Sequence, residues 1–102
     1  MHTELKESEI LRQMMDVLRH RHIFFHRNNT GRRGGVSFGS LGSPDLIACI
    51  AGKYVAIEAK TLKGEQSRKQ TEFQVALEAA GGIYILAHSA LELDQEIVRR
   101  FL

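Results

Sequence analysis

Apolar residues recur at spacings of three and four near the start of the chain, where Leu11, Met14 and Leu18 are flanked by Ile10 and Val17. That period predicts an amphipathic helix from about Thr3 to His20. "HIFFHR" then reads as a short strand, rich in aromatic and β-branched residues. "NNTGRRGG" reads as a flexible loop, because Asn and Gly tolerate positive φ, and "VSF" as a brief extension before a second loop, "GSLGSP". "DLIACIA" and "YVAIEAK" are two strands joined at Gly52-Lys53, with Gly placed first as in a type II′ hairpin turn. After the loop "TLKGEQ", the Ser-x-x-Gln of "SRKQ" has the form of a capping box and opens a helix at about Ser67. That helix runs through Phe73, Ala76, Leu77 and Ala80 and stops at Gly81-Gly82. "IYILA" is a buried strand, and a last helix spans about Ala90 to Phe101. The order is α-β-β-β-α-β-α, an α/β arrangement in which Tyr54 to Ala87 forms a right-handed parallel crossover in a mixed sheet flanked by helices.

Within this pattern Asp45, Glu58 and Lys60 interrupt two stretches that otherwise suit buried strands. A turn at Gly52-Lys53 places Ile47 opposite Glu58 and Asp45 opposite Lys60. Side chains alternate along strands, so all three charges share one face at one end of the sheet. Asp45 then lies across from Lys60, at about 4.5 to 5.5 Å between β-carbons, and diagonal to Glu58 at roughly 7 to 8 Å. A four-residue loop keeps this parity and a three-residue loop spoils it. Two readings stand. In one, the carboxylates share a divalent cation, since Mg²⁺ takes oxygen ligands together with substrate phosphates, and Lys60 contacts a water or a phosphate. In the other, Asp45 and Lys60 form a structural ion pair and Glu58 is solvated.

The 102 residues suit a single domain, 1–102, and the balance of 43% hydrophobic to 25% charged residues is that of an ordinary globular protein. No apolar run reaches the length of a membrane span, and the N-terminus lacks a signal-peptide pattern. One cysteine, Cys49, excludes an internal disulfide; lying in an apolar run, it reads as a buried thiol in a reducing, cytoplasmic setting. The net charge of +2 says little, but its distribution says more: Arg19 to Gly35 carries five arginines, three histidines and no acid. A local basic segment in a nearly neutral chain suggests an edge facing a polyanion.

"PD", twelve residues and "EAK" resemble the PD-(D/E)XK nuclease signature, and "ESEI", "HRNNTG", "GSPDLIA", "YVAIEAK", "SRKQ" and "AAGGIYILAHS" together resemble the VRR-NUC family over nearly the whole chain. The resemblance implies a restriction-endonuclease-like fold and a Mg²⁺- or Mn²⁺-dependent DNA endonuclease. Stand-alone members are similar to Holliday-junction resolvases, which implies a homodimer acting on branched DNA, because two symmetric cuts suit a two-fold assembly. By the same resemblance Asp45 and Glu58 are metal carboxylates, with the Ala59 backbone carbonyl as a further ligand, and Lys60 is the motif lysine. Gln70 matches the glutamine opening the following helix; its spacing to Phe73 and Leu77 turns it inward, and the alternative is a capping role alone. The family also places a glutamate of the first helix near the metal. Glu4, Glu7 and Glu9 compete for that place, and helical periodicity favours Glu7, on the apolar stripe, over Glu9.

Candidate DNA contacts are Arg27, Asn28, Asn29, Thr30, Arg32, Arg33 and Ser43, with Lys63, Arg68 and Lys69 around the second helix's N-terminus; Ser37 and Ser40 are weaker candidates. His26 stands where an aromatic is expected, and a strand edge suits it. Three functions follow: a structure-selective endonuclease, a nucleic-acid-binding module that keeps the nuclease fold without the chemistry, and an enzyme acting on another phosphorylated substrate. The intact Asp, Glu and Lys set favours the first.

Overall fold

A four-stranded sheet of order β1-β4-β5-β6 organises the chain. The computed structural model describes residues 4–28, 31–33, 36–38 and 42–102, with the strands at 31–33 and 36–38 described by their backbone. The elements are α1 (Glu7–His20), β1 (Phe24–Arg27), β2 (Gly31–Arg33), β3 (Val36–Phe38), β4 (Leu46–Ile50), β5 (Lys53–Ala59), α2 (Arg68–Ala79), β6 (Ile83–Ala87) and α3 (Ala90–Phe101). β1, β4 and β5 pair antiparallel, and β6 pairs parallel to β5 through the α2 crossover. No helix among the described residues is long and apolar enough to cross a membrane.

One face of the sheet carries Leu46, Ala48, Ile50, Val55, Ile57, Ala59, Ile85 and Ala87, and these form the core with Ile10, Leu11, Met14 and Leu18 of α1 and Leu93 and Ile97 of α3. The other face carries Ile47, Cys49, Tyr54, Ala56, Glu58, Tyr84 and Leu86. Here α2 covers only part of the surface: the Phe73 ring meets the Tyr84 ring at 6.5 Å between centroids, while no residue of α2 is fully buried. Partial cover corrects the expectation for Cys49, whose thiol is exposed. In β4 the core takes positions 46, 48 and 50, and Cys49 points to the half-open side.

Three further expectations change. α1 begins at Glu7, with Lys6 as an extended N-cap that makes no side-chain capping bond; Thr3 lies outside the described residues. Glu7 and Glu9 in the first turn suit the positive end of the helix dipole. The stretch expected as a loop contains β2, which pairs antiparallel with β3 through Gly31↔Phe38, Arg32↔Ser37 and Arg33↔Val36. Pairing with the β-prone Val36–Phe38 overrides the local preference of an Asn- and Gly-rich segment.

The third correction is the hairpin turn. Ile50 pairs with Lys53, so the two-residue loop is Ala51-Gly52, and both have positive φ, 52° and 77°. This is the type I′ pattern, whose twist matches that of the strands. Ala51 carries a cost there, because a β-carbon in the left-handed region crowds the following carbonyl. Replacing it with Asn, the favoured partner of Gly in this turn, is expected to stabilise the protein by about 0.5 to 1 kcal/mol. Chemical denaturation of Ala51→Asn reads this directly, and a lower midpoint would contradict the strained turn.

Candidate metal centre

The corrected turn moves the charges by one pair. Leu46 faces Ile57, so the next position along brings Asp45 opposite Glu58 instead of Lys60. Parity is unchanged: Asp45, Glu58 and Lys60 still share the face covered by α2. The shift sets two carboxylates side by side at the end of two central strands, and Glu7, at the start of α1, joins them. Each of Glu7, Asp45 and Glu58 offers one carboxylate oxygen, and these oxygens lie within 4.8 Å of one another. Glu7 is exposed where the buried face of α1 was expected, because the apolar stripe reaches solvent at the helix's first turn. Glu9 is not part of the cluster.

Asp45 is held from two sides. Its Oδ2 accepts a hydrogen bond from the Ala59 N–H at 2.9 Å, so the side chain continues the strand pairing where the backbone ladder ends. Its backbone carbonyl accepts from the Asn28 N–H at 2.9 Å, and the Asn28 side-chain amide donates to the Pro44 carbonyl at 3.0 Å. Asn28, expected at a phosphate, thus ties the Pro44-Asp45 segment to the end of β1. Gly42 adds a second restraint. Its φ is 81°, and a β-carbon there would lie 2.3 Å from the Lys69 carbonyl oxygen and 2.8 Å from the Gln70 nitrogen. Only a glycine lets this loop rest on the first turn of α2.

Glu58 is the buried member, 2% exposed. Its Oε1 accepts from the Gln70 Nε2 at 2.7 Å. Gln70 is also the third residue of the capping box: its N–H donates to Ser67 Oγ, and its Oε1 accepts from the Ser67 N–H at 2.8 Å. Capping and contact with the acid are therefore both properties of one side chain, whose amide oxygen closes the helix and whose amide nitrogen faces Glu58. The remaining Glu58 oxygen, Oε2, is buried with no hydrogen-bond partner among the described residues. Burial pushes the Glu58 carboxyl up to about 8, with Asp45 adding to the rise, Lys60 opposing it and Glu7 adding again. Lys60 is half-buried and its N–H donates to the Ala87 carbonyl at 3.1 Å. Among the described residues Lys60 forms no ion pair, so a structural salt bridge with Asp45 is not what the fold contains.

Tyr84, which the sequence pattern did not single out, lies on the same face. Ala56 is its partner across the parallel pair, and Glu58 pairs with the neighbouring Leu86. Its hydroxyl is buried without a hydrogen-bond partner among the described residues, and burial pushes its pKa up to about 12, against an opposing influence of the nearby Gln66 side chain. Only its place in a strand of otherwise apolar residues could have marked it.

The other expected contacts are dispersed. Arg27 is exposed at the end of β1 and Ser43 is half-buried beside Pro44. Arg68 and Lys69 stand exposed on the first turn of α2, both against Glu72, at 3.2 and 3.5 Å. Exposed pairs of this kind hold side chains weakly and leave them available to other anions. Lys63 is exposed on the rim of an apolar cavity of about 460 Å³ shared with Leu5, Ile10 and Leu62. Asn29, Thr30 and Ser40 lie outside the described residues, as do the side chains of Arg32, Arg33 and Ser37.

The donor set suits a hard divalent ion. It consists of carboxylate oxygens, one of which is buried and unpartnered; in water-poor surroundings such an atom needs a cation or a proton. Two VRR_NUC domain structures are among the solved structures that share this fold. One, described as a VRR_NUC domain, aligns with 94% of this chain and 97% of its own at a TM-score of 0.70 and 13% identity. The other, a VRR_NUC domain protein, aligns with 94% of this chain and 88% of its own at a TM-score of 0.72 and 23% identity. No family model matches the sequence, and no curated protein does. The protein has the fold of VRR_NUC domains, a mixed sheet flanked by helices, with an acidic cluster compatible with a divalent metal at the end of its central strands.

Proposed function

We propose that the chain belongs to the VRR-NUC family and is a Mg²⁺- or Mn²⁺-dependent endonuclease that cuts branched DNA, four-way junctions foremost, as a homodimer. The observation that carries this reading is the meeting of Glu7, Asp45 and Glu58, with an unpartnered buried oxygen on Glu58. These three residues would hold the metal, which when bound supplies a lowered water pKa and neutralises charge developing on the phosphate. Asp45 is fixed by Ala59 and Asn28, so its second oxygen keeps one direction. Gln70 holds Glu58 by its Oε1 and leaves Oε2 for the ligand. Lys60, in no ion pair among the described residues, places a positive charge beside the carboxylates, where it can meet an attacking water or a phosphate oxygen.

The test is a cleavage assay with purified protein and Mg²⁺ or Mn²⁺ against four-way junction, flap, single-stranded and linear duplex DNA of matched sequence. Metal-dependent cutting that favours branched substrates supports the proposal. Binding without cutting, across both metals, replaces it with the reading as a catalytically silent clamp. Gln70→Glu separates the two duties of that side chain. Glutamate keeps the capping box but sets a carboxylate where an N–H donor met Glu58. Helix content should stay at the parental level while cleavage falls by about 10- to 100-fold, the usual scale for a group that orients a ligand. Parental cleavage by this variant would leave Gln70 with a capping role only.

A further inference from the structure

Phe24, Cys49 and Tyr54 form one row across three strands, Phe24 paired with Cys49 and Cys49 with Tyr54. All three lie on the sheet face that carries Glu58. Phe24 is 73% exposed and Tyr54 48% exposed, and the small Cys49 thiol between them is also exposed. Two strand spacings separate the aromatic residues, about 9.6 Å between backbones. That gap admits one planar ring between two others, with a small side chain as its floor. Four residues along β5 separate Tyr54 from Glu58, about 13 Å, roughly two nucleotides of an extended strand. Phe24 lies on the edge strand of the sheet, so one end of the row is open to solvent.

We propose that Phe24 and Tyr54 form a stacking shelf for an unpaired DNA base about two nucleotides from the phosphate at the carboxylates. This rests on the nuclease reading and deepens it, because it assigns the protein a substrate with single-stranded character near the cut. Exposed rings on a sheet beside basic residues are the usual means of holding single strands, since every base offers a π-face. A second protein copy is the weaker occupant. Two rings at these exposures present roughly 250 Å², against about 800 Å² per partner in a standard interface. Charge favours DNA as well: Lys60 lies on this face, and Arg68 and Lys69 stand exposed on the first turn of α2, which covers part of it.

The chain contains no tryptophan, so Phe24→Trp introduces a single tryptophan on the shelf, which can be excited selectively above the tyrosine absorption. In EDTA, an oligothymidine is expected to quench it saturably, while a blunt duplex of equal length does not. Phe24→Ala with Tyr54→Ala should weaken oligothymidine binding by at least about fivefold per ring lost, with far-ultraviolet circular dichroism unchanged, and Phe24→Tyr should bind as the parent does. Equal quenching by the duplex, or parental affinity in the double alanine variant, overturns the shelf. So does a fluorescence change that follows protein concentration without DNA, which would assign the row to a second copy. The two proposals fail separately: cleavage with no stacking removes the shelf alone, and stacking with no cleavage under any metal removes the nuclease reading alone.

Discussion

If the chain is the nuclease proposed, Asp45→Asn and Glu58→Gln are each expected to lower Mg²⁺- or Mn²⁺-dependent cleavage by on the order of a hundredfold to a thousandfold, the scale for losing one charge-stabilising group at a reacting centre. The two substitutions are matched to the structure so that folding does not account for the loss. In Asp45→Asn the side-chain amide oxygen can still accept the Ala59 N–H, so the strand ends stay joined while the charge is lost. In Glu58→Gln the neutral amide removes the charge that burial makes costly, and its oxygen can still accept from Gln70. A fall in cleavage with an unchanged fold would therefore report on the carboxylate cluster. Full activity in either variant, measured on a branched substrate with both metals, would remove the carboxylate cluster from the reaction.

Much of this arrangement was legible because its elements announce themselves locally. The capping box at Ser67, the strand "IYILA" and the last helix fall where their patterns put them. The common face of Asp45, Glu58 and Lys60 was legible for a different reason: it depends only on the parity of the hairpin, and moving a two-residue turn by one position preserves parity. The partner of Asp45 was not legible, because a single Gly at 52 serves as the first residue of a type II′ turn or the second of a type I′ turn. Nothing local decides between them. The register shift is chemically important, since it exchanges a neutralising lysine for a second carboxylate across the strand pair.

What was missed depends on contacts between distant segments. Gly42 is shaped by the backbone of α2, nearly thirty residues on, and Asn28 by the turn leading into β4. No spacing rule links such positions. Cys49 was misplaced for a related reason: an apolar run suggests burial on both sides, and only the half-cover provided by α2 shows that one side stays open.

The buried acid is expected to make the protein less stable as pH rises, and bound metal should abolish that dependence. Glu58 is raised from 4.5 to about 8 in the folded protein, first by desolvation and then by Asp45. Between these values the folded state keeps a proton that the unfolded chain has released, so stability falls as pH rises through this window. It is fully present below about pH 4.5 and lost above about pH 8. The loss should be on the order of a few kcal/mol, large against the usual total for a small domain. Thermal denaturation in EDTA at pH 5 and pH 9 should show it as a lower Tm at the higher pH, and Glu58→Gln should flatten the profile. Addition of Mn²⁺ at pH 9 should restore the parent's Tm, because a ligand that binds only the folded state stabilises it, and should do much less for Glu58→Gln. A parent profile that rises from pH 5 to pH 9 without metal, or equal stabilisation of both proteins by Mn²⁺, would show that Glu58 is neither the costly buried charge nor a principal ligand.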